Sequence, residues 1–171
     1  LLRQMITIKR KTDTEMELAN ADGVELYIKG FGASTNIRGV RYKNLRPSIA
    51  ILDDITTNEA KTSQAIQNTI NDNFYKSIVP ALHPTKFKIF YIGTPISEND
   101  VIHQLSNNPE WVVHKFPICE RFPCTKEEYV GAWSDRFPYE AVKSKYEMLK
   151  ASGKEQDFAQ EYMLEIVDLS T

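Results

Sequence analysis

Two adjacent acids, Asp53 and Asp54, close the apolar run SIAIL at positions 48–52. A carboxylate at the end of a buried strand costs desolvation unless a cation or a donor meets it. One acid holding Mg²⁺ through water while its neighbour orients a nucleophilic water is a division of labour used in nucleotide hydrolysis. The plainer reading makes Asp54 the cap of the turn that follows. A second apolar run, KFKIFYIG, ends at Gly93, Thr94 and Pro95. In open α/β sheets, ligands bind beyond the carboxyl ends of the strands, the edge to which both endings belong. A third group is basic: in IRGVRYKNLR, Arg38, Arg41, Lys43 and Arg46 crowd nine positions. Such a cluster suits phosphate, and equally suits a solvated loop.

Other constellations carry less. His103, His114, Cys119 and Cys124 are separated by ten, four and four residues, spacings that match no common zinc finger or ribbon. Three scattered histidines give no Ser-His-Asp arrangement. Trp111 and Trp133, with Phe122, Phe137 and Tyr139, read as core packing rather than a base-stacking platform. The phosphate-cradling pattern G-x-x-x-x-G-K followed by Ser or Thr occurs nowhere; GFGAST and ASGKEQ have the wrong spacing or lack the terminal hydroxyl.

The elements that must position these groups follow from periodicity. Met16 and Leu18, then Val24, Leu26 and Ile28, alternate around an Asn20–Gly23 turn and predict a β-hairpin. SIAILDD lacks polar alternation and reads as a buried central strand. Thr56 and Glu59 fit a capping box, and Ile66, Ile70, Phe74 and Ile78 recur every four residues, predicting a long helix that stops before Pro80. KFKIFYIG is a second buried strand, Ser97 and Asp100 open a short helix toward Leu105, and EWVVHKF is a third strand candidate. TKEE resembles a cap. Pro138 suits a first helical position, with Ala141, Val142, Tyr146 and Leu149 forming an apolar face and Gly153 ending that helix. Phe158, Tyr162 and Leu164 or Ile166 suggest one more. Strands alternating with helices imply an α/β domain with a largely parallel sheet and a small helical part behind it.

Bulk properties agree. The 171 residues allow one domain, and a composition 42% hydrophobic and 26% charged excludes collagenous, low-complexity and wholly disordered classes. No apolar run approaches the roughly 20 residues that cross a bilayer. The start, LLRQMITIKRKTD, has neither a secretory signal's order nor an initiator Met, and reads as a piece of a longer chain. Two cysteines suit a reducing compartment. The net charge of −2 hides an asymmetry, because nine Lys or Arg and five Asp or Glu fall in residues 1–46.

Taken in order, IRGVRYKNLRPSIAILDDI, FYIGTPISENDVIHQL and WSDRFPYEAVKSKYEMLKASGKEQDFAQEYML resemble the ATPase domain of the large terminase subunit of tailed bacteriophages. The resemblance covers residues 16–168. It implies a partial P-loop NTPase sheet of the RecA-like class with flanking helices: residues 1–118 as the second half of the ATPase core, and 119–171 as a helical lid and start of a linker. By that resemblance ILDD is the Walker B segment, with Asp53 the Mg²⁺-associated carboxylate and Asp54 the residue that polarises the attacking water. Terminases often carry Glu at the second place, one methylene longer. Gly93, Thr94 and Pro95 resemble the coupling motif, in which the threonine senses the nucleotide's state. Arg38 matches the arginine that reaches into a neighbouring subunit's site, and the inserted VRYKN leaves Arg41 or Arg46 as alternatives.

The implied cofactors are Mg²⁺ and ATP. The implied partners are double-stranded DNA, a portal protein, a small terminase subunit and further copies in a ring, in the cytoplasm of an infected bacterium and transiently on the procapsid. Without a Walker A loop, and without the nuclease domain of relatives, the chain alone is expected to be inactive. Two rivals remain: a metal-dependent nuclease, which needs further converging acids, and a noncatalytic interaction module on the same fold.

Overall fold

The computed structural model describes residues 5–56 and 63–166. The chain forms two compact units, residues 1–50 with 72–90, and residues 51–71 with 91–171. Glu59 of the expected capping box, and the end of the chain beyond 166, lie outside the described residues.

The first unit is built on a three-stranded antiparallel sheet in the order β1 (Ile6–Lys11), β2 (Glu15–Asn20), β3 (Glu25–Lys29). The expected hairpin is β2–β3, with Leu18 opposite Leu26 and Met16 opposite Ile28. Its turn is closed by the Asn20 side chain, which accepts the Val24 amide at 2.8 Å, and by Gly23 at φ +78°, where glycine has no Cβ penalty. β1 adds a strand that was not expected. A bulge between Ile8 and Arg10 re-registers it, so that Ile8 faces Leu18 while Arg10 meets Glu17 on the charged side.

The long helix forms in three pieces: α1 (Gln64–Asn73), a π-helical turn (Phe74–Ile78) and α2 (Val79–Ala81). It runs through Pro80 rather than stopping before it. A proline inside a helix removes an N–H and crowds the carbonyl four residues back, and a widened π turn immediately ahead relieves that crowding. In it the Val79 amide bonds Phe74 O.

β4 (Ile49–Asp53) and β5 (Lys88–Ile92) form a small parallel two-stranded sheet. The Lys88 amide bonds Ser48 O at one end and the Asp54 amide bonds Ile92 O at the other, both at 2.9 Å. These strands were expected to be buried, and only part of each is: Leu52 is buried and Ala50, Ile89 and Tyr91 are half-buried, while Ile49, Ile51, Phe90 and Ile92 are all at least half exposed, and among the described residues no third strand joins the pair. EWVVHKF forms no strand: Val112–Pro117 has no regular secondary structure, and Val112 and Phe116 are exposed.

The second unit continues with α3 (Val101–Ser106), α4 (Tyr139–Ala151) and α5 (Glu155–Met163). Asp100, buried, ties the entry to α3, accepting the Ile96 and Ser97 amides at 2.6 and 2.9 Å and the Gln67 amide group at 2.7 Å. In the segment expected as a lid, 119–171, Cys119, Val142 and Phe158 form a core together with Ile118, which directly precedes it. Phe122, Tyr146 and Tyr162 pack around Phe158 in tilted and edge-on contacts at 5.1–5.5 Å between centroids. α4 ends in a Schellman motif: Gly153, at φ +68°, donates to Lys150 O, and Lys154 donates to Leu149 O. TKEE makes its cap, Thr125 N donating to Glu128 Oε2 at 3.1 Å, but the cap closes only a turn.

Candidate functional site

The parallel pairing brings the carboxyl ends of β4 and β5 side by side, and this places the candidate residues. Leu52 is buried, so alternation turns Asp53 to the opposite, exposed side of β4. Asp54 follows at φ +47°, in the left-handed region that L-residues enter at a cost and aspartate tolerates better than most. Its amide is fixed by Ile92 O, and a Cβ placed on Gly93 would stand 3.7 Å from both Asp54 Cα and Asp54 Oδ1. That is ordinary contact distance, so the approach is close without demanding glycine. The Asp54 carboxylate therefore lies beside the backbone that leads into half-buried Thr94.

Both acids are exposed, and neither carboxylate has a hydrogen-bond or ion-pair partner among the described residues. The desolvation argument for a required partner thus does not apply, since water solvates these charges. Asp54 also does not cap the turn with its side chain. Two adjacent, uncommitted carboxylates are a hard-oxygen donor set that suits Mg²⁺ keeping several of its waters. No phosphate-cradling loop stands beside them in the sequence, so the residues fit the cation and do not by themselves fit the triphosphate.

A cavity of about 210 Å³ opens next to Gly93 and Pro95, walled by Ile102, His103, His114 and Leu164. Asp53, Asp54 and Thr94 are not among its lining residues. No three His, Cys, Asp or Glu converge as a metal site among the described residues. Cys119 is instead part of the lid core, where burial, with a smaller contribution from Cys124, pushes its thiol up to about 11.

The three candidate arginines belong to the first unit, and two of them are already engaged. Arg38 Nε donates to Lys76 O at 2.7 Å, supplying the hydrogen bond that Pro80, four residues on, has no N–H to give. Arg46 Nη1 donates to Pro80 O at 2.8 Å and to Ala81 O at 3.4 Å, capping the carbonyls at the end of α2. Arg41 is exposed and has no partner among the described residues. The basic stretch is thus partly a device for ending a helix, which charge and spacing alone did not reveal. The signal was Pro80, whose missing N–H leaves a carbonyl needing a donor from elsewhere.

Fold and site together define a mixed α/β protein with an acidic pair at the tip of a short parallel sheet. Comparison with protein-family models, curated proteins and solved structures returned no match. No helix among the described residues is long and apolar enough to cross a membrane.

Proposed function

We propose that the chain is the Walker B to lid portion of the ATPase motor of a viral large terminase, coupling ATP hydrolysis to movement of double-stranded DNA into a procapsid. The observation that carries this reading is the juxtaposition at the strand tips: Asp54 Oδ1 lies 3.7 Å from where a side chain on Gly93 would begin, with Thr94 next in sequence. Bound Mg²⁺ would neutralise charge on the phosphate oxygens. Asp53 would hold its water shell, Asp54 would accept a hydrogen bond from the attacking water, and the Thr94 hydroxyl would exchange a bond to that water for one to protein. Arg41, the uncommitted member of the basic stretch, is the arginine free to reach a neighbouring copy's phosphates without breaking a bond of its own.

The test is steady-state ATP turnover, with and without DNA, by the protein expressed from the complete open reading frame that encodes this chain. Asp54→Asn is expected to lower turnover by about 100-fold or more, the loss typical of a removed water-orienting group. Arg41→Ala should lower it as well, with recovery when Arg41→Ala and Asp54→Asn proteins are mixed. Unchanged turnover in Asp54→Asn defeats the proposal, and metal-dependent cleavage of plasmid DNA, lost in Asp53→Ala, would replace it with a nuclease.

A further inference from the structure

The cavity beside Gly93 and Pro95 belongs entirely to the second unit, and the chemistry of its wall is one-sided. Its apolar part is Pro95, Ile102, Val113, Leu164 and Ile166, and its polar side chains are His103, Ser106, His114 and Lys115. No Asp or Glu lines it.

Three pieces of chain build it. α3 supplies Ile102, His103 and Ser106, positions that share one side of a helix. Val113 to Lys115 cross between two fixed ends: the Trp111 amide donates to Asn108 O at 3.1 Å, and the Ile118 amide donates to Tyr162 O at 2.8 Å. Leu164 caps α5 at φ +59°, in the left-handed region. Glycine is the usual occupant of such a cap, because a Cβ strains it. Here a leucine bears that strain, and it walls the cavity.

The polar groups supply donors and a positive charge. Lys115 and His114 are exposed, and neither the ammonium nor the His114 ring nitrogens have a hydrogen-bond or ion-pair partner among the described residues. His103 Nε2 lies 3.0 Å from Asn107 Nδ2, and the same amide nitrogen donates to His103 O at 3.3 Å. Nε2 therefore accepts, which leaves the proton on Nδ1 as the donor of that ring. Ser106 Oγ already donates to His103 O at 2.8 Å, so the cation and the two imidazoles are what the wall has to offer a ligand.

The volume of about 210 Å³ is less than the roughly 300–1,000 Å³ that hold drug-sized ligands and more than the roughly 150 Å³ that hold benzene. One ring, or one short branched chain, fills it and leaves room for a small polar group. An ammonium with no carboxylate of the protein beside it makes that group an anion.

We propose that this cavity binds a compact organic carboxylate, with its apolar body against Ile102, Val113 and Leu164 and its charge at Lys115 and the histidines. Inorganic anions lack the body, and neutral rings lack the charge. The site does not rest on the nucleotide reading: of the strand-tip residues only Gly93 borders the cavity, and its occupation needs no ATP.

Benzoate is the probe, titrated into the tens of millimolar against the isotopically labelled chain and followed by amide NMR shifts. Signals of Gly93, Ile102, His103, Lys115 and Leu164 should move on one saturating curve with a dissociation constant of about 1 mM, the affinity expected of a ligand with so few atoms. Lys115→Gln should weaken binding about threefold, the effect of an exposed charge, and benzamide, with the same ring and no charge, should bind weaker than benzoate by at least about as much. Acetate should not saturate in the same range. Val113→Trp, which adds bulk at a half-exposed wall residue, should weaken benzoate at least about tenfold. Should circular dichroism show that variant unfolded, Ser106→Leu takes its place. The absence of a common saturating curve at these residues overturns the proposal, as does benzamide binding as tightly as benzoate, or benzoate affinity unchanged by Lys115→Gln or by the folded bulky variant.

Discussion

Replacing Asp54 by glycine separates a residue kept for chemistry from one kept for shape. Asp54 sits at φ +47°. For an L-residue the left-handed region costs about 1–2 kcal/mol, toward the lower figure for aspartate, and glycine relieves it. Against this, glycine enlarges the unfolded ensemble, at a cost of about 0.4–1 kcal/mol. The exposed carboxylate has no partner among the described residues, so its removal breaks no described bond. The balance is a gain of roughly 0.3 kcal/mol in folding stability. With a urea m-value of about 2 kcal/mol/M, that is an upward midpoint shift of roughly 0.15 M with unchanged slope. Asp54→Asn, which also tolerates the left-handed region, should leave the midpoint within error. Urea unfolding followed by tryptophan fluorescence measures both. A fall of about 1 kcal/mol or more in Asp54→Gly would refute the reasoning, because the carboxylate would then be a structural cap.

Three further outcomes are expected. Arg38→Ala should cost about 1 kcal/mol, the net value of a hydrogen bond to a charged donor reduced for its exposure, and much less in a Pro80→Ala background where Lys76 O regains a backbone donor; a double-mutant cycle in urea reads the coupling. Glu25, held down to about 2 by hydrogen bonds from Lys43 and Lys9, contributes stability that is present above its unfolded value of 4.5 and is lost as pH falls toward 2. Carboxyl titration by NMR should find it in that range, rising with added salt, and Glu25→Gln should flatten the stability profile between those pH values. Gly131→Ala places a Cβ 2.8 Å from Tyr129 Oη and 2.9 Å from its ring, while that hydroxyl donates to Phe137 O at 2.6 Å. Forcing the ring aside should cost about 1–3 kcal/mol by thermal unfolding, and little more once Tyr129 is already Leu.

What could be read before the structure was local. The β2–β3 hairpin is written in the alternation of Met16, Leu18, Leu26 and Ile28, and Gly153 marks the end of α4 by its need for a positive φ. β1 escaped notice because its bulge breaks the alternation after Ile8 and puts Lys9, Arg10 and Lys11 in a row. What depended on distant partners was not legible. Ile49, Ile51, Phe90 and Ile92 have the composition of a sheet interior, but burial needs neighbours that the described residues do not supply. Val112 and Val113 have strand propensity and no ladder. At the site, Asp53, Asp54, Gly93 and Thr94 were found by their place after apolar runs, and the parallel pairing brings those two strand tips together. The engagement of Arg38 and Arg46 with helix carbonyls was invisible, because it hangs on a contact across more than 30 residues.

The claim on which the functional account rests is that the tips of β4 and β5 form one cation-facing edge. Adding Mn²⁺ in substoichiometric amounts to the isotopically labelled chain, in competition with Mg²⁺, tests it most directly. The account predicts that amide signals of Asp53, Asp54, Gly93 and Thr94 broaden first and together, that excess Mg²⁺ restores them, and that Asp53→Asn abolishes the effect. Broadening that begins at other acids while these four signals stay sharp would contradict it.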